Sequence, residues 1–414
     1  MSKTMQLIQR IEGEAKLSLS WERGHIQDAH IGFFNFRGYE KLLVGRPVED
    51  AIVLTPRVCG ICGQAHTVAA VQALEALYTT HAMSCEISPK AQAIRDICRW
   101  AEIIQSHAKW LYMTMLSDLT QWQDYQPLQG ERWRIGQKIA SLAGQISALF
   151  AGQYPHGTFA VVGGVVSDPT PMDIVQAQYC LDDMRQLIED EVFGRGWGSV
   201  RSGWRGDAAR LCEVLLEKSC DHVGKGPGRY LILGEGKRFS RDVYTASEAK
   251  IKESDPQEGF AKVARYHGLP YETGPLARLT LHHAKEMKID SSAFGRVTAR
   301  LREMMELIES MHKALHVIRL DEPSYIAPRK PLKDLSGTGV SSVEAARGSL
   351  THRVIAHHGK ITSYDIITPT VWNLGDRDEK SLGICQGAII GLASEELALI
   401  VLKSFDVCAV CTTH

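Results

Sequence analysis

AQAIRDICRWAEIIQSHAKWLYMTMLSDLTQW, residues 91–122, is the stretch that decides how the chain is built. Its apolar residues recur every three or four positions without a Gly or Pro, so the pattern predicts one long buried helix over 89 to about 124. The same periodicity returns at 134–150, 171–193, 207–218 and 292–318. The middle of the chain, 85–320, therefore reads as a bundle of long helices. Residues 224–275 interrupt it: GKGPGRY and KESDPQEG concentrate glycine, proline and charge and predict a loop-rich insertion with a few short strands.

The ends follow a different period. KLSLSW (16–21) and HIQDAHIGFFNF (25–36) alternate apolar with polar residues, which predicts a small antiparallel sheet. THRVIAHHGKITSYD (351–365) reads as a hairpin turning at His-Gly-Lys, with 366–373 extended beyond it and a last helix over 387–405. The expected fold is predominantly α, of α+β type: a long-helix bundle core with small mixed or antiparallel sheets near both termini. We read 1–414 as one unit, with an N-terminal region 1–60, the helical core and a C-terminal region 345–414.

Composition narrows the function. Of 414 residues, 44% are hydrophobic and 23% charged, as in ordinary globular proteins. With 47 Lys and Arg against 48 Asp and Glu, no broad basic surface is expected and nucleic acid is excluded as a partner. No apolar run approaches the roughly 18 to 20 residues of a membrane span. The opening MSKTMQLIQRIEGEAK carries charge where a secretory signal needs apolar residues, which predicts a cytoplasmic location, with any membrane association made through partners.

Two of the ten cysteines fall in RVCGICGQAH as Cys59 and Cys62, and two in DVCAVCTTH as Cys408 and Cys411. Pro56, Gly60 and Gly63 predict a tight turn around the first pair that lets both thiols point the same way. One Cys-x-x-Cys alone fits a redox disulfide, and two together offer the four sulfur ligands a soft divalent metal accepts, a structural zinc included. The separation is unusual. Zinc knuckles close over about 10 to 30 residues, whereas 346 positions separate Cys62 from Cys408, so a shared site must join the two ends of the chain.

These two strings resemble the signatures R-x-C-G-x-C-x-x-x-H and D-P-C-x-x-C-x-x-H of the large subunit of nickel-iron hydrogenases. Further strings fall in the family's order: RIEGEAK (10–16), FRGYEK (36–41), ETGPLAR (272–278), ARGSLTH (346–352) and ITPTVWN (367–373). The resemblance implies a nickel held by all four cysteines, with Cys59 and Cys408 terminal and Cys62 and Cys411 bridging to an iron that carries carbon monoxide and cyanide. It implies that Glu12 accepts a proton from Cys408, that His66 donates a hydrogen bond to a bridging sulfur, and that Arg347 sits over the metals. Thr370 would donate to a cyanide and Leu350 would wall the carbonyl. Glu40, the carbonyl of Ile366 and the terminal His414 match the ligands of a magnesium ion.

Several positions depart from the family pattern. Val407 and Ala346 stand where proline is usual, Ser106 replaces an aspartate above the metals on the helix before His107, and Glu14 replaces a histidine. The resemblance further implies reversible oxidation of dihydrogen to two protons and two electrons. Cys85, Cys98, Cys180, Cys212, Cys220 and Cys385 are scattered and form no iron–sulfur motif, so electrons would leave through iron–sulfur clusters on a small partner subunit, and on to a possible electron-accepting module. Rival readings are a dihydrogen-sensing regulatory subunit, a structural metal protein and a relative found in quinone-reducing complexes.

Overall fold

The computed structural model describes residues 2–120, 122–195, 203–235, 246–255, 261–283 and 289–412, with backbone alone at 238–239. Three strands open the chain: β1 (Ser2–Leu7), β2 (Ala15–Glu22) and β3 (His25–Phe33), antiparallel in that order. On β2, Ala15, Leu17 and Leu19 are buried, which is the alternation read from the sequence. β1 is an added edge strand with no buried face, on which Met5 and Leu7 are exposed. Helix α1 (Tyr39–Leu43) follows, and then α2 (Gly63–Thr79), buried on nearly every side.

The long central helix is α3 (Pro89–Lys109). Ser88 caps it by accepting from the Ala91 amide, and Pro89 occupies the first turn, where its missing N–H costs nothing. It does not run straight to 124 as predicted. Residues Trp110–Leu116 form a π-helical turn, followed by one regular turn, Ser117–Thr120. The bundle is completed by α4 (Glu131–Ala151), α5 (Pro171–Leu187), α6 (Asp207–Glu217), α7 (Pro275–His282) and α8 (Ala293–Val317), with α3 packed between α4 and α8. The insertion carries short paired strands, Leu231–Ile232 with Arg238–Phe239 and Ile251–Ser254 with Val263–Tyr266.

A second three-stranded antiparallel sheet, β4 (Gly337–Ala345), β5 (Gly348–His357) and β6 (Lys360–Ile367), lies on α2. Two expectations fail beyond it. Residues 366–373 do not stay extended: Pro369 starts a short helix, α9 (Pro369–Leu374), in agreement with its fixed φ. The expected helix 387–405 is split into α10 (Ile384–Ile389) and α11 (Glu395–Ser404), because Gly391 takes a φ of 91° and Ser394 caps a new start at the Leu397 amide. One contiguous hydrophobic cluster runs from Ile8 through the bundle to Ala409, which holds both termini against the same core. No helix among the described residues is long and apolar enough to cross a membrane.

Candidate metal centre

The first cysteine pair is set by local geometry. Cys59 leaves a 3-10 turn, Thr55–Val58, in an extended conformation, and Cys62 is the N-cap residue of α2. The second pair follows α11: Asp406 adopts a left-handed φ of 62°, a conformation Asp tolerates better than most residues, and Cys408 opens a 3-10 turn, Ala409–Cys411. All four thiols are buried and none is in a disulfide. Their sulfurs converge: Cys408 to Cys411 is 3.1 Å, Cys62 to Cys411 3.4 Å and Cys59 to Cys408 3.7 Å. A ring nitrogen of His66 and the sulfurs of Cys62 and Cys411 all lie within 4.8 Å of one another.

The ends of the chain are locked together by backbone contacts. The Glu12 carbonyl accepts from the amides of Ala409, at 2.8 Å, and Val410, at 3.3 Å. Gly13 makes this approach possible, since at φ 84° a Cβ there would stand 2.8 Å from Val410 Cγ1. The Arg37 guanidinium, from FRGYEK, donates to the carbonyls of Val58 and Val410, the residues before Cys59 and Cys411. ETGPLAR and ARGSLTH meet face to face: a Cβ on Gly274 would lie 2.7 Å from the Arg347 carbonyl. The strings scattered along the sequence are thus neighbours around one centre.

Burial opposes ionisation of Cys59, yet hydrogen bonds from Cys408, Cys411 and Cys62, with the nearby charge of Arg347, hold this thiol well below its usual range. The Cys411 hydrogen bond favours ionised Cys62 and Cys408, but their bonds to Cys59, their burial and the charge on Cys59 push both up. Cys411 is pushed up chiefly by its hydrogen bonds to Cys408, Cys59 and Cys62, with burial adding to the effect. Four thiols that cannot all ionise unaided are a donor set suited to a soft cation, which displaces their protons on binding.

Arg347 is buried and forks onto Asp406, with Nε donating to its carbonyl at 2.9 Å and Nη2 to Oδ1 at 3.0 Å. Its Nη1 has no partner among the described residues, and neither has the buried Thr370 Oγ1. An orphaned donor on Arg347, whose charge acts on Cys408, Cys62 and Cys59, fits a centre bearing hydrogen-bond acceptors. Leu350 is buried on β5. The side chain of Glu12 is exposed and lines a cavity of about 240 Å³ together with Ile61, Ser106, Lys109, Arg347 and Asp406, beside the π-helical turn.

Glu40, on α1, accepts from the Ile366 amide at 2.8 Å and takes both carboxylate oxygens to Lys262 Nζ at 2.9 Å. The structure thus brings Glu40 and Ile366 together; His414 lies outside the described residues. Sequence reasoning missed Arg37, Asp406, Lys262, His352 and Glu102. Glu102, on α3, accepts from the amides of Gln64 and Ala65 at the start of α2, and burial pushes its carboxyl up to about 8. His352 was visible only as the last letter of ARGSLTH, and Arg37 only as a letter of FRGYEK.

An α-rich chain that closes four buried thiols on one point is a metalloprotein whose centre is shared by its two ends. The model of the nickel-dependent hydrogenase family matches residues 37–125 and 234–414, and the chain belongs to that family. It is similar to the sulfhydrogenase 2 subunit alpha of Pyrococcus furiosus, 28% identical with 98% of this chain and 97% of the relative covered. It is also similar to the periplasmic [NiFeSe] hydrogenase large subunit of Desulfomicrobium baculatum, at 24% identity with 98% and 93% covered. Its fold matches the reduced Ni-Fe-Se hydrogenase of D. vulgaris Hildenborough with a TM-score of 0.85, at 23% identity and with both chains fully covered. The chain is a hydrogenase of the large-subunit type, an oxidoreductase acting on dihydrogen, and the relatives do not favour a sensory role.

Proposed function

We propose that this chain oxidises dihydrogen reversibly to two protons and two electrons at a nickel-iron centre held by Cys59, Cys62, Cys408 and Cys411. The observation that carries the reading is the convergence of four buried, unbridged thiols from opposite ends of the chain. In this reading Cys59, Cys62, Cys408 and Cys411 would hold the nickel, with the sulfurs of Cys62 and Cys411 also offered to an iron that would carry carbon monoxide and cyanide. When bound, such a centre polarises dihydrogen toward heterolysis.

The chain's own part is to receive and conduct the proton and to hold the surroundings. The Cys408 sulfur takes the proton first, and the Glu12 carboxylate accepts it, because its backbone is paired to Cys408 and its side chain lines the cavity beside the π-helical turn. Arg347, held by Asp406, would offer its unpartnered Nη1 to one cyanide, and Thr370 would offer its unpartnered Oγ1 to another. Leu350 gives the carbonyl an apolar wall. His66 steadies a bridging sulfur. Glu40, the Ile366 carbonyl and His414 would hold a magnesium ion, which would share the Glu40 carboxylate with Lys262, whose Nζ lies 2.9 Å from both of its oxygens.

Electrons pass to iron–sulfur clusters of a small partner subunit in a cytoplasmic complex. The test is metal analysis joined to infrared spectroscopy of the purified native complex. Nickel and iron together, with carbon monoxide and cyanide bands that shift under hydrogen, are expected. Zinc alone without such bands, in material matured with its accessory machinery, would refute the reading.

A further inference from the structure

His66 does not stand alone behind the thiols. Its Nδ1 lies 3.0 Å from Nε2 of His352, and Nδ1 of His352 lies 2.8 Å from the Tyr364 hydroxyl. All three side chains are buried, with His66 and His352 at 0% exposure and Tyr364 at 2%, so water does not compete for these contacts. The rings tilt into one another, at centroid separations of 5.2 Å for His66 with His352 and 5.6 Å for His352 with Tyr364. The sheet produces the stack. His352 on β5 is paired with Ile366 on β6, and Val354 with Tyr364, so His352 and Tyr364 are diagonal neighbours on one face.

We propose that Tyr364, acting through His352, fixes the proton of His66 on Nε2 and so makes His66 a hydrogen-bond donor toward Cys62 and Cys411. The inference rests on the nickel-iron reading for its consequence, but its proton count follows from the three side chains alone. A phenol carries one hydrogen, and among the described residues the Tyr364 hydroxyl has His352 as its partner and no other. If His352 donated from Nδ1, the phenol hydrogen would be left buried without an acceptor. Tyr364 therefore donates to His352 Nδ1. A neutral His352 then carries its own proton on Nε2 and donates to His66 Nδ1, which leaves the His66 proton on Nε2.

The order of protons matters because the opposite tautomer would present a lone pair to electron-rich sulfurs. With Nε2 as donor, His66 withdraws density from a bridging thiolate and holds its lone pairs in one direction. Tyr364 and His352 are thus positioning residues, and neither carries a sequence signature that would assign it a role.

The test uses Tyr364→Phe in the assembled holoenzyme, read by the infrared bands of the diatomic ligands. Loss of the hydrogen bond to sulfur lets the thiolate push more density onto iron, so the carbon monoxide band is expected to move to lower wavenumber. In a His66→Ala background the same substitution should move it no further. His352→Gln, whose amide N–H can face His66 without help from Tyr364, is expected to keep the band nearer its wild-type position than His352→Leu does, and this pair tests the point even where Tyr364→Phe fails to fold. Unmoved bands in Tyr364→Phe, or an equal shift with and without His66, would overturn the inference while leaving the centre intact. Absence of diatomic bands from the wild-type complex would overturn the nickel-iron reading itself and, with it, the role of His66 as a donor to sulfur.

Discussion

Arg347 shows how much one side chain is asked to do beside four thiols. Its guanidinium commits Nε and Nη2 to Asp406 and leaves Nη1 without a partner among the described residues. A lysine has no planar fork and cannot satisfy the carbonyl and carboxylate of Asp406 while reaching the centre. Arg347→Lys should therefore retain nickel but lose about 10²-fold or more in hydrogen oxidation, measured on protein matched for metal content. Glu12 tests a different function, since only the side chain is removed from proton traffic while its carbonyl still holds Ala409. Glu12→Gln should lower kcat by about 10²- to 10⁴-fold with little change in the KM for hydrogen; an unchanged kcat would assign the proton route to another group.

At the scale of elements, the centre depends on connections between segments distant in sequence. Arg37 ties the carbonyls of Val58 and Val410, so it clamps one cysteine turn to the other. Arg37→Ala should leave the bundle folded, as judged by circular dichroism, but lower nickel occupancy after maturation and make nickel easier to remove by chelation. A second connection crosses the bundle, where Glu303 on α8 meets Arg278 on α7 and His107 on α3. Burial opposes the charge on Glu303, but the Arg278 ion pair and the His107 hydrogen bond hold its carboxyl down at about 2. Burial pushes His107 down to about 4. Both shifts have the same sign: the unfolded chain binds the extra protons. Stability is fully present above the ordinary histidine value near 6.5 and is lost first through His107 and then through Glu303 as pH falls toward 2. Glu303→Gln should cost about 3 to 5 kcal/mol at neutral pH and remove the carboxyl's share of that acid decline, read by denaturant unfolding at a series of pH values.

The same elements mark what could be read from the sequence. Helices with a clean 3.6 period, such as α4, α6 and α8, lie close to where the pattern puts them. The π-helical turn at Trp110–Leu116 leaves the apolar spacing unbroken, and it was invisible for that reason. The break at Gly391 was hidden because apolar residues on both sides continue a helical rhythm. Cysteines announce themselves by spacing, whereas Asp406 was visible only as the first letter of DVCAVCTTH and Lys262, which acts through a partner far away in the chain, carries no local signature.

For the whole molecule, the decisive fact is that residues 12, 37, 59, 62, 347 and 408–411 surround one point although they span nearly the entire chain. The first strands and the last turn are joined at Glu12 and Ala409, and a metal held by both cysteine pairs would close a loop of hundreds of residues. Closing so long a loop removes much conformational freedom from the unfolded chain, and metal binding adds its own free energy to folding. The effect should be local in the native state, because α3 packs on α4 and on α8 without the thiols. Removing the metal from the matured protein should therefore lower Tm by at least about 5 °C. It should also speed amide exchange in residues 404–412 and around Cys59–Cys62 while the central helices keep their protection. Uniform loss of protection across the bundle would instead make the centre part of the folding core, and unchanged protection at both cysteine turns would mean that the clamp of Arg37, Glu12 and Gly13 holds the ends together without a metal.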